Sequence, residues 1–382
     1  MSNTRGRRFA SLAGMPTTTI VFQQLPPMPP TAELAVSPPS MVARLCIPGL
    51  PRCLVPPFLA LVATLLALSW GRYPLAPWAT MHFLASSLGL IDMEPERYAL
   101  LYNLIVVIRL PRVLAAILVG ASLSVSGASY QALFRNPLVS PGLLGVLAGA
   151  SAGAALGIIL EGNWLVVQAS AFFGGLAAVG IGVGIAHLFG RGSLVMLILG
   201  GILSGTLFTS LLSVVKYLAD PYNQLPAIVY WLMGSLGQVN LHDMGWATVP
   251  MVGGIVLLCF LGRALDALAM GDDEAQSLGV PVKAVRLATI ATATLVSALT
   301  VSIAGMIGWI GLIVPHIARL LVGPGNARLL PASACLGAAF LVGADSMARN
   351  LFASELPIGI VTELLGIPVF LVVLSRVRRG WV

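Results

Sequence analysis

Three consecutive acidic side chains, Asp272, Asp273 and Glu274, stand out in a chain with few charges. They lie in the stretch Gly271-Asp-Asp-Glu-Ala-Gln-Ser-Leu-Gly279-Val-Pro281-Val, between two apolar segments long enough to cross a bilayer. Residues 272–278 read as one short helix. Acids in its first turn meet the favourable end of the helix macrodipole. Gly279 can close it in a left-handed cap, and Pro281 blocks continuation. A short capped helix between two spans sits at the membrane surface. It is either a solvated loop helix or a docking knob for a soluble partner.

The other reactive side chains do not converge in sequence. Cys46, Cys53, Cys259 and Cys335 form no C-x-x-C pair, and His82, His187, His242 and His316 are scattered. Neither a disulfide framework nor a metal site is expected. No G-x-x-x-x-G-K-[ST] phosphate loop occurs, so the chain is not by itself a P-loop ATPase. Nor is there a Ser–His–Asp set or a carboxylate pair, which argues against an enzyme. Ionisable residues inside predicted spans are functional candidates by default. Most charges lie at span ends; the exceptions are Asp345 and Glu363, and Arg349 stands one helical turn from Asp345 as a possible ion-pair partner.

The elements that must position these residues are membrane helices. The chain has 382 residues, 58% hydrophobic and 9% charged, with a mean hydropathy of +0.94. Soluble domains are about one-quarter charged. The 41 Gly and 26 Pro fit spans that pack through small residues. The net charge of +7 is no nucleic-acid footprint, because the basic residues are dispersed. The expected fold is an all-α polytopic membrane protein with ten spans, at about residues 54–70, 113–134, 142–160, 165–189, 194–217, 244–265, 284–305, 309–322, 329–347 and 358–374. Residues 227–233 are too short to cross and read as a re-entrant helix. Gly145, Gly149, Gly153 and Gly157 recur every four residues and predict one helix–helix contact stripe. Residues 1–53 read as a Pro-rich, disordered cytoplasmic extension, ahead of the ten-helix domain at 54–382.

With both termini cytoplasmic, most of the 21 Lys and Arg fall inside, as the positive-inside rule requires. The acidic helix then faces the cytoplasm. Gly120–Gly127 in the second span is echoed by Ser297–Gly305 in the seventh, a weak trace of an inverted repeat. A pathway without its own energy source but with a cytoplasmic docking helix points to a permease driven by a separate ATPase. An ion-coupled secondary transporter using Asp345 and Glu363, or a membrane scaffold, is the rival reading.

Several stretches resemble the permease subunits of ABC importers for iron chelates, haem and vitamin B12, the FecCD type. They include Arg109-Leu-Pro-Arg112, Gln131-Ala-Leu-Phe-Arg-Asn-Pro-Leu-Val-Ser-Pro-Gly142, the acidic stretch itself, Gly308-Trp-Ile-Gly-Leu-Ile-Val-Pro-His-Ile-Ala-Arg319, Ala344-Asp-Ser-Met-Ala-Arg349 and Glu355-Leu-Pro-Ile-Gly-Ile-Val-Thr362. The resemblance covers about residues 99–376. It implies a homodimer in lipid, two cytoplasmic ATPase subunits carrying ATP and Mg, and a periplasmic binding protein. No cofactor is implied on this chain. It makes Asp272, Asp273, Glu274, Ala275, Gln276, Ser277, Leu278 and Gly279 the ATPase-coupling segment. It makes Arg109, Arg112 and Arg349 exposed docking residues for the binding protein, and Ser193 a gate candidate. Glu363 departs from the Ala or Ser the family usually has there, and would put a carboxylate in the path if that face lines it. The implied cargo is an iron(III)–siderophore, with haem, cobalamin and molybdate as rivals.

Overall fold

The computed structural model describes residues 51–377, apart from Arg72, Pro74, Arg191, Gly192 and Ala353. Most of the expected extension, residues 1–53, and the terminal Arg378 and Arg379 lie outside the described residues. Among the described residues every regular element is helical. In order they are α1 (Val55–Ser69), α2 (Pro77–Ser87), α3 (Pro95–Tyr102), α4 (Leu110–Leu133), α5 (Val146–Ile159), α6 (Trp164–Gly190), α7 (Leu194–Leu218), α8 (Gln224–Leu232), α9 (Leu241–Phe260), α10 (Gly262–Met270), α11 (Asp272–Ser277), α12 (Val282–Ala304), α13 (Ile310–Val322), α14 (Asn326–Asn350) and α15 (Ile358–Val377). Each of the ten expected segments falls on a helix. Among the described residues six helices are long and apolar enough to cross a membrane alone, and a bent pair makes a seventh if counted as one span. The apolar helices Val146–Ile159, Ile310–Val322 and Ile358–Val372 are shorter.

Helix α4 is the centre of the molecule. Every residue from Val119 to Leu133 is buried, and α4 packs against α9, α12, α13 and α14. Its small residues allow this. A Cβ at Gly120 would fall on the Gly337 carbonyl of α14, and one at Gly127 would fall on that of Gly311 in α13. In hydrocarbon such close backbone approach supplies the dispersion contacts that hold helices together. Tyr130 and Thr294 share a 2.8 Å hydroxyl bond between α4 and α12. The two helices that carry the echoed sequences are therefore direct neighbours.

Four expectations need correction. The loop after the first span contains α2 and α3, and the second span continues back to Pro95 as one 39-residue unit. Pro111 reads as a breaker, because it lacks an N–H for the preceding turn. A π-helical stretch, Asn103–Arg109, absorbs the defect, and the Leu110 N–H bonds to the Ile105 carbonyl five residues back. The third span starts at Val146, not 142, because Gly145 is left-handed with φ 85°. The glycine stripe is consequently split: Gly149 and Gly153 meet Gly174 and Ser170 of α6, whereas Gly145 meets Gly201 and Gly205 of α7. The sixth span breaks at Leu261, with a 47° bend between its halves. Beyond it, α10 buries Leu265 and Leu268 while carrying Arg263 and Asp266, so it lies along a surface. The short α8 docks its C-terminal backbone on its neighbours, with Ser235 N–H on the Ala304 carbonyl (2.9 Å) and Gly359 N–H on that of Met233 (3.0 Å).

Gly120→Leu should force α4 off α14. Overpacking of this kind costs about 1–3 kcal/mol where the backbone can yield, and more where it cannot. Size-exclusion chromatography of a fluorescent fusion should show loss of the monodisperse peak. Gly343→Ala on the same α14, where a Cβ meets nothing within 4 Å, should leave it intact. Equal peaks for the two variants would refute the seam.

Candidate functional site: ion clusters at the two ends of the α4–α14 pair

Helices α4 and α14 run antiparallel, so each end of the pair combines the start of one with the end of the other. At about 1.5 Å per residue, Arg112 and Arg135 are about 35 Å apart along α4. Each anchors a charge cluster.

At the first end Asp345 of α14 is 1% exposed and lies between two guanidinium groups. Arg112 Nε donates to its Oδ1 at 2.7 Å, and Arg349 Nε approaches its Oδ2 at 3.0 Å, one turn along α14. Arg112 Nη1 donates at 2.9 Å to Oε2 of Glu355, whose side chain is 40% exposed. The expected Arg349–Asp345 pair is thus present, but Arg112 and Glu355 were not foreseen in it. Arg112, Arg349 and Glu355 border a cavity of about 350 Å³, and Asp345 lies behind them.

Arg109 is placed differently from expectation. It is 4% exposed, and its Nη1 donates to the carbonyls of Leu68 (2.6 Å) and Ser69 (2.9 Å), while Nη2 donates to that of Tyr73. The last carbonyls of α1 have no intrahelical partners, and an arginine that satisfies them is a C-terminal cap. The expectation of three exposed docking cations is corrected on this point, since Arg112 and Arg349 have side chains only 12% and 9% exposed.

At the second end α11 forms over Asp272–Ser277 as the sequence predicts. It closes at Gly279 with φ 76°. The Gly279 N–H bonds to the Gln276 carbonyl and the Val280 N–H to that of Ala275, which is the Schellman pattern. The segment 272–279 has two sides. Asp272 faces its own protein and accepts from Arg135 Nη2 (2.7 Å) and Arg286 Nη2 (2.8 Å). Ala275 is fully buried. Asp273, Glu274, Gln276, Ser277, Leu278 and Gly279 are exposed. Asp272 and Ala275 therefore anchor the helix and do not belong to its outward face.

Two further anchors escaped the sequence reading. Arg135 follows α4 in the left-handed region, φ 51°, where a non-glycine residue is disfavoured. That backbone turns the side chain to the Leu268 carbonyl (2.9 Å) as well as to Asp272. Asp266 of α10 caps the start of α14, accepting from the Asn326 backbone N–H (2.7 Å) and side-chain amide (2.8 Å). An arginine directly after a span and an acid in an amphipathic turn were the available signals. Ser193 and Glu363 are exposed and belong to neither cluster. Among the described residues no three His, Cys, Asp or Glu side chains form a metal-ligand set.

Asp345→Asn should leave two arginines without their buried counter-charge. Breaking a buried pair by removing one partner costs about 3–5 kcal/mol. Glu355→Gln removes a partly exposed partner, worth at most about 1 kcal/mol. The apparent melting temperature in detergent should fall sharply for the first variant and barely for the second. Similar shifts would contradict this ranking.

The profile of the FecCD transport family matches residues 59–376. The molybdate import system permease protein MolB of Haemophilus influenzae is 35% identical across 84% of this chain and 94% of that protein. The cobalamin import system permease protein BtuC of Halobacterium salinarum is 42% identical across 70% of this chain and 72% of that protein. A solved structure of a metal-chelate type ABC transporter in an inward-facing conformation superposes with a TM-score of 0.74 at 34% identity, covering 85% of this chain and 98% of that one. Profile, relatives and fold agree over the same helices, and the chain belongs to the FecCD transport family.

Proposed function

We propose that this chain is the transmembrane permease subunit of a binding-protein-dependent ABC importer in the bacterial inner membrane, and that its cargo is an iron(III)–siderophore-type chelate. The observation that carries the reading is the two-sided α11. Its inward side is tied to α4 and α12 through Asp272, and Asp273, Glu274, Gln276, Ser277 and Leu278 are left for a partner. A cytoplasmic ATPase that grips this outward face moves the spans through the anchors. Two copies of the chain enclose the path, two ATPase subunits hydrolyse ATP with Mg, and a periplasmic binding protein delivers cargo. Both termini are cytoplasmic. The metal-chelate neighbour supports the cargo class, while the names of the two relatives keep cobalamin and molybdate as rivals. The ion-coupled alternative is not favoured, because Asp345 is engaged by Arg112 and Arg349 and does not border an open path.

Tagged chain, purified in mild detergent from its native membrane, should bring down a soluble P-loop ATPase, identified by mass spectrometry. Recovery of the chain alone, with uptake persisting in vesicles without ATP, would overturn the reading. Proteoliposomes of the recovered complex should accumulate an iron(III)–siderophore with ATP, and accumulation of cobalamin or molybdate instead would reassign the cargo. Asp273→Lys combined with Glu274→Lys should reduce ATP-driven uptake about tenfold or more, the effect of losing about 1.4 kcal/mol of coupling, while the chromatographic profile stays unchanged. Asp272 is left intact in that test, because its loss would disturb the anchor. Full uptake by the double variant would remove the outward face of α11 from coupling.

A further inference from the structure

Two indole N–H groups border one cavity and have no acceptor. Trp231, in the last turn of α8, is 7% exposed. Trp164 opens α6 and is part-buried. Both rings line the same cavity. Both Nε1 atoms are buried, and among the described residues nothing accepts from either. Indole can only donate, and a buried indole N–H usually finds a partner. Buried polar groups left unpaired are few in a folded protein, and each needs a physical reason.

The cavity supplies a reason. It holds about 220 Å³ and lies where α5 turns into α6, against α8 and the end of α12. Its wall is mostly apolar, from Ile158, Val167 and Ile303 and the rings of Trp164, Tyr230 and Trp231. An apolar cavity of about 150 Å³ holds a benzene ring, so this one holds a ring with a short substituent. Among the described residues no acid or base lines it. An ionised occupant would therefore be buried without a counter-charge, at a large cost. A neutral molecule with an apolar body and an oxygen that accepts hydrogen bonds fits the wall and the donors together.

From these observations we propose that the cavity is a binding site for a neutral carbonyl compound, whose oxygen accepts from the Trp231 N–H, with Trp164 as the second donor. The occupant touches α5, α6, α8 and α12 at once, so it clamps the short α8 to its neighbours. Two sources share this chemistry: a small aryl ketone or ester, and the ester carbonyl of a membrane lipid. The inference stands independently of the proposed function.

The test uses the purified full-length chain in nanodiscs and two fluorinated probes followed by fluorine NMR line broadening. They are 4-fluoroacetophenone and its isostere 4-fluoro-α-methylstyrene, in which a methylene group replaces the oxygen. Specific binding is the part lost in Ala227→Leu, which fills the cavity from an exposed position on α8. The ketone should bind about tenfold more tightly than the alkene, the equivalent of one hydrogen bond gained. Trp231→Phe should bring the ketone down to the level of the alkene and leave the alkene where it was. Equal binding of the two probes to the wild-type chain, or an unaltered ketone advantage in Trp231→Phe, would overturn the site. Trp164→Phe should reduce the advantage. No reduction would assign that N–H to Gln168, whose buried Oε1 also lacks a partner one turn along α6, and would overturn the second donor. Hydrogen exchange of the α8 amides should slow severalfold with bound ketone, and unchanged exchange at saturation would overturn the clamp. Repeating the titration in ester-lipid and ether-lipid nanodiscs separates the sources. Weaker ketone binding in the ester lipid alone identifies a lipid carbonyl as the resident ligand, and equal binding identifies a free small molecule.

Discussion

Backbone contact between α4 and α14 is the constraint on which the other arrangements depend. Lipid tails are as apolar as leucine, so helices in a bilayer gain little by hiding apolar side chains from them. They gain by approaching closely and by satisfying polar groups. Gly120 and Gly337 allow the first, because a methyl group at either position would collide with the opposite carbonyl. With the two backbones in register, Arg112 can only meet the last turns of α14, where Asp345 and Arg349 stand. At the other end the same register brings Arg135 to α11 and the start of α14 to Asp266.

The pair therefore behaves as a beam with a tied joint at each end. At one end α10 and α11 are held by three short polar contacts to three different helices: Asp266 to α14, and Asp272 to Arg135 beside α4 and to Arg286 of α12. A push on the outward face of α11 is thus delivered to several helices together. At the other end Asp345 ties α14 to α4 directly. The interior between the two ends is close-packed and of low compressibility, the condition under which strain is transmitted. The left-handed backbone at Arg135 belongs to the same device, since it aims the guanidinium at α11.

Much of the helix layout was legible in the sequence, because apolar length, Gly and Pro punctuation and cap residues are local signals. Gly279 and Pro281 ended α11 as predicted. The failures were non-local. Pro111 sits inside one long helical unit because the π-helical stretch before it absorbs the missing N–H, and that stretch leaves no mark in hydropathy. The bend at Leu261 depends on Gly262 meeting Ala327, 65 residues away, where a Cβ would lie 2.9 Å from that residue's Cα. Arg109 and Arg112 share one short motif, yet one caps α1 and the other joins an ion cluster. Residues three apart share a helix face, and both border one cavity, yet their guanidinium groups reach different partners, which no pattern within the motif can specify.

The acidic residues carry the same lesson further, because their roles follow the partners they meet and not their type. Asp272 and Asp273 are adjacent and chemically identical, yet one is clamped by two arginines and the other faces outward. Asp345 and Glu355 both serve Arg112, yet one is sealed and the other is open. Each end of the beam thus pairs a fixed acid with an outward one. Asp345 is the buried counter-charge of this set, and losing it costs far more than losing an exposed one. At the α11 end Asp272 joins helices while its neighbour Asp273 faces outward, and at the other end Asp345 joins them while Glu355 adds a contact at the rim.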